Sequence, residues 1–339
     1  MKLLICTQAL DQNDSNLGFF HQWVAEFAKH CEKVIVICLR EGAHDLPRNV
    51  EIVSLGKERG TGRLARIILF LRCAVSRRND YDAVFVHMNP EYIVLVGPLW
   101  RLWGKRVSLW YAHKSVTFWL RVAVGFANAI FTVAPGSFRI RTSKLRAVGH
   151  GIDTGIFRPG AHEPGDRLRV ATMGRVAASK HLLEMLSALD VLHARGIQFT
   201  LSIAGSPVSE AEKAYAKELE REISSRPYAA QVRMLGPVPH AALPEFLRRQ
   251  DVFLNFATTG NMDKAGLEAL ASGVPVVASN ESFKALLEPH GLFAPLKDAE
   301  RLADAILRAP QLDMRKLEEE VERDHSLVRL IPRILALLS

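Results

Sequence analysis

Between Tyr92 and Ile152 the chain contains no acidic residue. From Lys57 to Gly151, sixteen Lys and Arg stand against four Asp and Glu, a net charge of +12. The whole 339-residue chain carries +8, so everything outside that stretch sums to −4. A basic half points to anionic partners: nucleic acid, phosphorylated substrates or an acidic membrane surface. Cysteine is scarce as well. Cys6, Cys31, Cys38 and Cys73 fall at core-like positions with no C-x-x-C spacing. That argues against a disulfide framework and for a reducing compartment. No run approaches 18 uninterrupted apolar residues, so no membrane-spanning helix is expected. The opening "MKLLICTQAL" lacks the length of a signal peptide and reads as a first strand.

What is present is alternation. Short β-branched runs recur, each followed by a longer helical stretch. In the first half they are "KLLICT", "KVIVICL", "VEIVSL", "DAVFVHM", "RVSLWYA" and "AIFTVA"; in the second, "LRVATMG", "FTLSIAG", "VRMLG", "DVFLNFA" and "VPVVAS". Strands alternating with helices imply parallel sheets covered on both faces, here two doubly wound α/β domains. The segment "RAVGHGIDTGIFRPGAHEPGDRLRV" has several Gly and Pro and few apolar residues, and it marks the joint. The expected division is 1–158, 159–320 and a C-terminal helical segment 321–339 packing back toward the first domain. In open sheets of this kind ligands bind outside the carboxyl ends of the strands.

Several candidate residues lie at such strand ends. In "RVATMGRVAASKHLLEMLSAL" a strand ends at Gly174, and Arg175 and Lys180 flank the loop before a helix. Two cations there can hold a diphosphate, or they are solvated surface charges. In "GNMDKAGLEALASGVPVVASN", Asp263 and Lys264 feed a helix in which Glu268 is expected near the start. That carboxylate suits paired ribose hydroxyls, or simply the helix dipole. The small residues upstream, including Gly260 and Asn261, let backbone N–H groups approach a ligand. Gly18 sits at a strand–helix junction, His87 and His113 follow strands, and His150 lies at the joint. "GTGRLA" fits a relaxed dinucleotide fingerprint, but no acidic residue ends the next strand, which argues against a nicotinamide or flavin cofactor. Four of the five tryptophans lie among Arg and Lys in "LWRLWGKRVSLWYAHKSVTFWLRVAVGF". That mixture suits a membrane interface, or a core with snorkelling arginines. No nucleic-acid motif is visible.

Together "GRVAASKHLLEMLSAL", "LSIAGSP", "VRMLGPVPHAALPEFLRRQDVFLNFA" and "LEALASGVPVVAS", with the joint "GHGIDTGIFRP", resemble family 4 glycosyltransferases of GT-B fold. The resemblance covers nearly the whole second domain and the joint, and is weaker in the first. It implies two Rossmann-like domains, and a retaining transfer from a UDP- or GDP-linked sugar that requires no metal. On matching positions it implies that Arg175 and Lys180 neutralise the donor diphosphate and Glu268 holds the ribose. Gly236 to Val238 lie beside the nucleobase, Gly18 approaches the diphosphate and acceptor, and His113 lies near the donor sugar. The family usually carries a second glutamate eight residues before the one matched by Glu268; here that position is Gly260. Asp263 and Lys264 are expected to take over part of the sugar contact.

The leading expectation is a cytoplasmic enzyme, peripheral on the inner face of the cell membrane. It would glycosylate a lipid-linked or saccharide acceptor for surface-glycan or glycolipid synthesis. A nucleotide-sugar epimerase and a non-catalytic nucleotide-sugar binder are the alternatives.

Overall fold

The computed structural model describes residues 1–14, 17–161, 165–258 and 262–338. It divides into two compact units, Met1–Asp153 with Asp324–Ser339, and Thr154–Arg323.

The strands of the first unit are β1 (Lys2–Leu10), β2 (Lys33–Glu41), β3 (Val50–Ser54), β4 (Ala83–His87), β5 (Arg106–Trp110), β6 (Ala129–Thr132) and β7 (Leu145–Ala147). All pair in parallel, in the order β3-β2-β1-β4-β5-β6-β7. The crossovers contain α1 (Phe19–His30), α2 (Arg63–Ser76), α3 (Pro90–Leu102) and α4 (Phe118–Phe126). β4, sequence AVFVH, is buried along its whole length, as a strand covered on both faces must be. In α1 the buried Phe20, Trp23, Val24 and Phe27 recur at helical spacing and form one apolar stripe. β7 is only three residues, LRA, and its composition carries no strand signal. The chain runs outward from β1 to β3 and then returns to place β4 on the other side of β1. The switch point of this sheet is therefore the crevice at the carboxyl ends of β1 and β4.

The second unit holds β8 (Leu168–Met173), β9 (Phe199–Ala204), β10 (Val232–Gly236), β11 (Val252–Asn255) and β12 (Val276–Ala278), ordered β10-β9-β8-β11-β12. Its helices are α5 (Leu182–Ala194), α6 (Glu210–Ser224), α7 (Leu243–Arg248), α8 (Lys264–Ala271), α9 (Lys284–Leu287), α10 (Ala299–Arg308) and α11 (Arg315–His325), the last two residues of α11 belonging to the first unit. The α5 face Leu182, Met185, Leu186, Leu189, Leu192 is buried. α6 starts in a capping box in which Ser209 accepts from Glu212 N–H and the Glu212 carboxylate returns to the cap. The switch point here lies between β8 and β11, so the loops leaving those two strands are where a ligand is expected.

The joint is set by close packing in the first unit. Gly151 has φ +72°, and a Cβ there would lie 2.4 Å from the Trp23 ring. A Cβ on Gly149 would lie 1.9 Å from the Asp324 carbonyl oxygen. Ile152 bridges Ser326 in parallel register, and α12 (Leu327–Ala336) packs on α1. The "VGHGI" segment thus belongs wholly to the first unit. The boundaries fall at 153/154 and 323/324; Gly and Pro content put the first at 158/159, and the apolar-periodic tail put the second at 320/321. Composition marks a loop; only the packing partner says which body owns it.

Candidate active site

Three neighbouring strands of the second unit end in a glycine or run directly into one, and the glycines stitch the strand ends together. Gly174 N–H donates to Ala204 C=O (2.9 Å) and Gly205 N–H to Gly236 C=O (2.7 Å). A Cβ on Gly205 would lie 1.8 Å from the Gly174 oxygen, so no side chain fits. Gly174, Gly205 and Gly236 all have positive φ, at 130°, 138° and 69°. The result is a carboxyl edge made of bare backbone. Gly205 was not among the expected site residues, although "TMG", "IAG" and "MLG" share one strand-end pattern.

Lys180 lies across this edge. Its Cε and Nζ are 3.1 Å from where a Gly174 Cβ would stand. Its ammonium is ion-paired with Asp263, the N-cap of α8, with the two side chains 19% and 18% exposed. The β8 loop and the β11 loop are thereby joined across the switch point. Burial alone would raise the Asp263 carboxyl. The Lys180 ammonium and hydrogen bonds from Lys180 and Asn255 outweigh it and hold the group below the ordinary carboxylate range. Arg175 lines the same narrow recess as Gly174 and Lys180. Its guanidinium is turned onto Glu212 of the α6 capping box, at 2.8 Å, and is more than half exposed. Backbone N–H groups of Ser209 and Val208, with Arg175, hold Glu212 below its usual range.

His181 was missed entirely by sequence reasoning. It is one of two non-glycine residues with positive φ among those described (+54°; the other is Met88, +64°). Its Nδ1 is 2.7 Å from Glu184 Oε1 and its Nε2 2.8 Å from Thr258 Oγ1. Thr258 N–H also donates to Ser179 C=O (3.1 Å). A residue held in a sparsely populated conformation, bonded through both ring nitrogens, fixes the backbone next to Lys180. No spacing signal reveals it, because φ is set by the surrounding loops.

Glu268 requires a correction. It is the fifth of eight residues in α8, not in the first turn, so helix-dipole complementarity does not explain it. It is only 3% exposed, with Oε1 3.4 Å from His240 Nε2 and 3.8 Å from Lys264 Nζ. His240 follows the Gly236–Val238 segment, so its imidazole ties that segment to Glu268. The structure therefore groups Gly174, Arg175 and Lys180 around one recess, with Asp263 held to Lys180, and joins His240, which follows Gly236 and Val238 in the chain, and Lys264 to Glu268. Gly260 and Asn261 lie outside the described residues.

Gly18 and His113 belong to the first unit. Gly18 is the N-cap of α1, and a Cβ there would lie 2.6 Å from the Asp14 oxygen and 2.9 Å from that of Gln12. Local backbone crowding is by itself sufficient reason for glycine. His113 is exposed in the loop after β5. Its Nδ1 accepts from Ser115 N–H (3.0 Å), which leaves Nε2 as the protonated nitrogen of the neutral ring. His87 is buried and stacked on Phe20 at 4.1 Å. The aromatic-basic stretch divides. Trp100 and Trp110 are core, and Trp100 Nε1–H donates to the Tyr81 hydroxyl (2.9 Å). Phe118 and Trp119 are 70% and 48% exposed. Among the described residues no group of three His, Cys, Asp or Glu is placed to hold a metal ion, and no helix is long and apolar enough to cross a membrane.

Two parallel doubly wound sheets, one carrying cations and a buried carboxylate at its carboxyl edge, define the GT-B class of fold. Comparison agrees. The family model described as "Glycosyl transferases group 1" matches residues 167–311, within the second unit. The structure is similar to that of Anabaena HepE in complex with UDP, at TM-score 0.77 and 17% identity over 99% of both chains. It is also similar to sucrose-phosphate synthase from Thermosynechococcus elongatus, at TM-score 0.75 and 15% identity over 99% of this chain and 98% of that one. A mannosylfructose-phosphate synthase of Agrobacterium fabrum is 26% identical over 144 residues, 41% of this chain and 32% of that protein. The match thus spans about a third of that relative.

Proposed function

We propose that this protein transfers a glycosyl group, with retention, from a UDP- or GDP-linked sugar to a lipid-linked or saccharide acceptor in surface-glycan or glycolipid synthesis. The observation that carries the reading is the carboxyl edge of β8 and β9, which the Lys180–Asp263 pair ties to the loop after β11. Bare strand-end backbone there meets Lys180 and Arg175, with Glu268 buried on the neighbouring helix. As the bond from the anomeric carbon to the diphosphate oxygen breaks, the electron pair and negative charge go to the leaving nucleoside diphosphate. Lys180 and Arg175 stabilise that charge. The acceptor hydroxyl forms the new bond on the same face, and a phosphate oxygen takes its proton. No protein nucleophile is needed. Both cations must change partners: Lys180 leaves or shares Asp263, and Arg175 leaves Glu212. Glu268, already oriented by His240 and Lys264, accepts from the ribose hydroxyls. In the first unit, Gly18 and His113 keep the roles the resemblance implies, toward the diphosphate and acceptor and toward the donor sugar.

A peripheral membrane location on the cytoplasmic face belongs to the same proposal. Its support is the exposed Leu64, Ile68, Leu99, Leu102, Phe118 and Trp119 within the acid-poor, Arg-rich segment. The test is calorimetric titration with UDP, GDP and their sugar conjugates, followed by turnover with and without lipid acceptor. Saturable binding with acceptor-dependent release of nucleoside diphosphate is expected. Binding without turnover would favour the non-catalytic reading, to which Gly260 lends weight. Acceptor-independent conversion of the sugar would favour the epimerase.

A further inference from the structure

The first unit carries two neighbouring cavities, and of their lining residues the roles above use only Trp119. One, of about 330 Å³, is lined by Gln8, Asp14, Arg40, Lys57, His87 and Met88. It lies at the β1/β4 switch point, where an open sheet receives its ligand. Its wall includes Met88 at φ +64°, a strained residue of the kind that collects at binding sites. The second cavity, of about 390 Å³, shares Leu39 with the first. Its body is apolar, formed by Phe70 of α2, Tyr92 and Leu95 of α3, and Trp119 of α4. Arg63 and Arg66, in the first turns of α2, stand at this apolar body, and neither is ion-paired with a described carboxylate. Glu91 is the one acidic lining residue.

A polar crevice beside a hydrocarbon-lined pocket, with Leu39 in both linings and two unpaired guanidiniums on the apolar side, fits one kind of molecule. We infer that the first unit binds the acceptor as a phosphate-bearing lipid. Its hydrocarbon chain lies between Phe70, Leu95 and Trp119, its phosphate against Arg63 and Arg66, and its polar head in the switch-point crevice. This inference rests on the transfer reading and narrows its acceptor to the lipid class. A free sugar or sugar phosphate has no use for the apolar half. A bilayer surface alone would need exposed side chains but no cavity. The size suits a ligand buried in a pocket of its own rather than a surface patch.

The test uses dodecyl phosphate below its critical micelle concentration, in buffer without vesicles, by calorimetry on the full chain. Butyl phosphate, inorganic phosphate and dodecyltrimethylammonium are the comparison ligands. Dodecyl phosphate is expected to bind saturably, at least about tenfold tighter than each of the others. Leu95→Asp, at a position already 38% exposed, should remove the chain-length preference. Arg63→Ala with Arg66→Ala should remove the preference for phosphate over ammonium. Equal binding of dodecyl phosphate by wild type and Leu95→Asp, or no preference between the two head groups, overturns the inference. UDP titration on the same samples separates the two levels. A protein that binds UDP but not dodecyl phosphate refutes the lipid pocket and leaves the donor site standing.

Discussion

The Lys180–Asp263 pair makes a prediction in which stability and binding move apart. Each side chain is about four-fifths buried, and the pair bridges the loops after β8 and β11. Replacing Lys180 by Met leaves the Asp263 carboxylate with its burial penalty and without its main compensation. Breaking a fully buried pair costs about 3–5 kcal/mol, and the residual exposure here reduces that to about 2–3 kcal/mol. In a unit of this size such a loss lowers Tm by roughly 5–10 °C. The same variant loses a charge-assisted contact to the diphosphate, about 1.5–3 kcal/mol, so UDP affinity falls at least about tenfold. Its turnover falls about a hundredfold. Asp263→Asn behaves differently. It also lowers Tm, but it releases Lys180 from its competitor, so UDP affinity is held or raised. Melting curves and UDP calorimetry on both single variants and the double variant give the coupling directly. Lys180→Met that melts earlier but binds UDP as wild type would show the lysine to be a structural tie. A drop in UDP affinity in Asp263→Asn would refute the competition argument.

Glu268→Gln should weaken UDP or GDP binding several-fold without lowering Tm sharply, because the amide keeps the buried shape but accepts fewer hydrogen bonds; equal affinities would leave Glu268 as an internal partner for His240 and Lys264. His325 reports on the first unit, because burial pushes its imidazole down to about 4. The unfolded chain takes up that proton near 6.5, so stability is complete above about pH 6.5. It then falls by up to about 3 kcal/mol as pH drops to about 4. His325→Gln should flatten that part of the stability profile, and an unchanged slope would assign it to other groups. Flotation should show binding to anionic but not neutral vesicles at low salt, lost at high salt. Leu102→Ser with Phe118→Ser, or Arg101→Ala with Arg106→Ala, should weaken it, each basic residue contributing about 1 kcal/mol. Lys105 is a poor choice for that test because its ammonium bonds the Tyr81 carbonyl oxygen. Identical recovery with both vesicle types would reject the membrane reading.

The fold class was legible because its signal is local. A strand covered on both faces must be a short run of apolar side chains, as in "AVFVH", and a crossover helix must show a stripe, as in α1. The glycine ending β8 and the cations of the following loop could be read off for the same reason, since strand, turn and helix succeed one another in the chain. The charge asymmetry is likewise a property of the sequence alone. Partnership is not local. Arg175 meets Glu212 across 37 positions and Lys180 meets Asp263 across 83, and no spacing rule reaches that far. Glu268 looked like a helix-start carboxylate until α8 was seen to begin at Lys264, which turned a dipole residue into a buried partner of His240. The two halves of the tryptophan cluster are indistinguishable by composition, yet Trp100 is core and Trp119 walls a cavity. Whether a side chain is covered depends on elements that arrive from elsewhere in the chain. So does the strain at His181 and Met88, whose backbone angles are imposed by their surroundings and not by their own residue type.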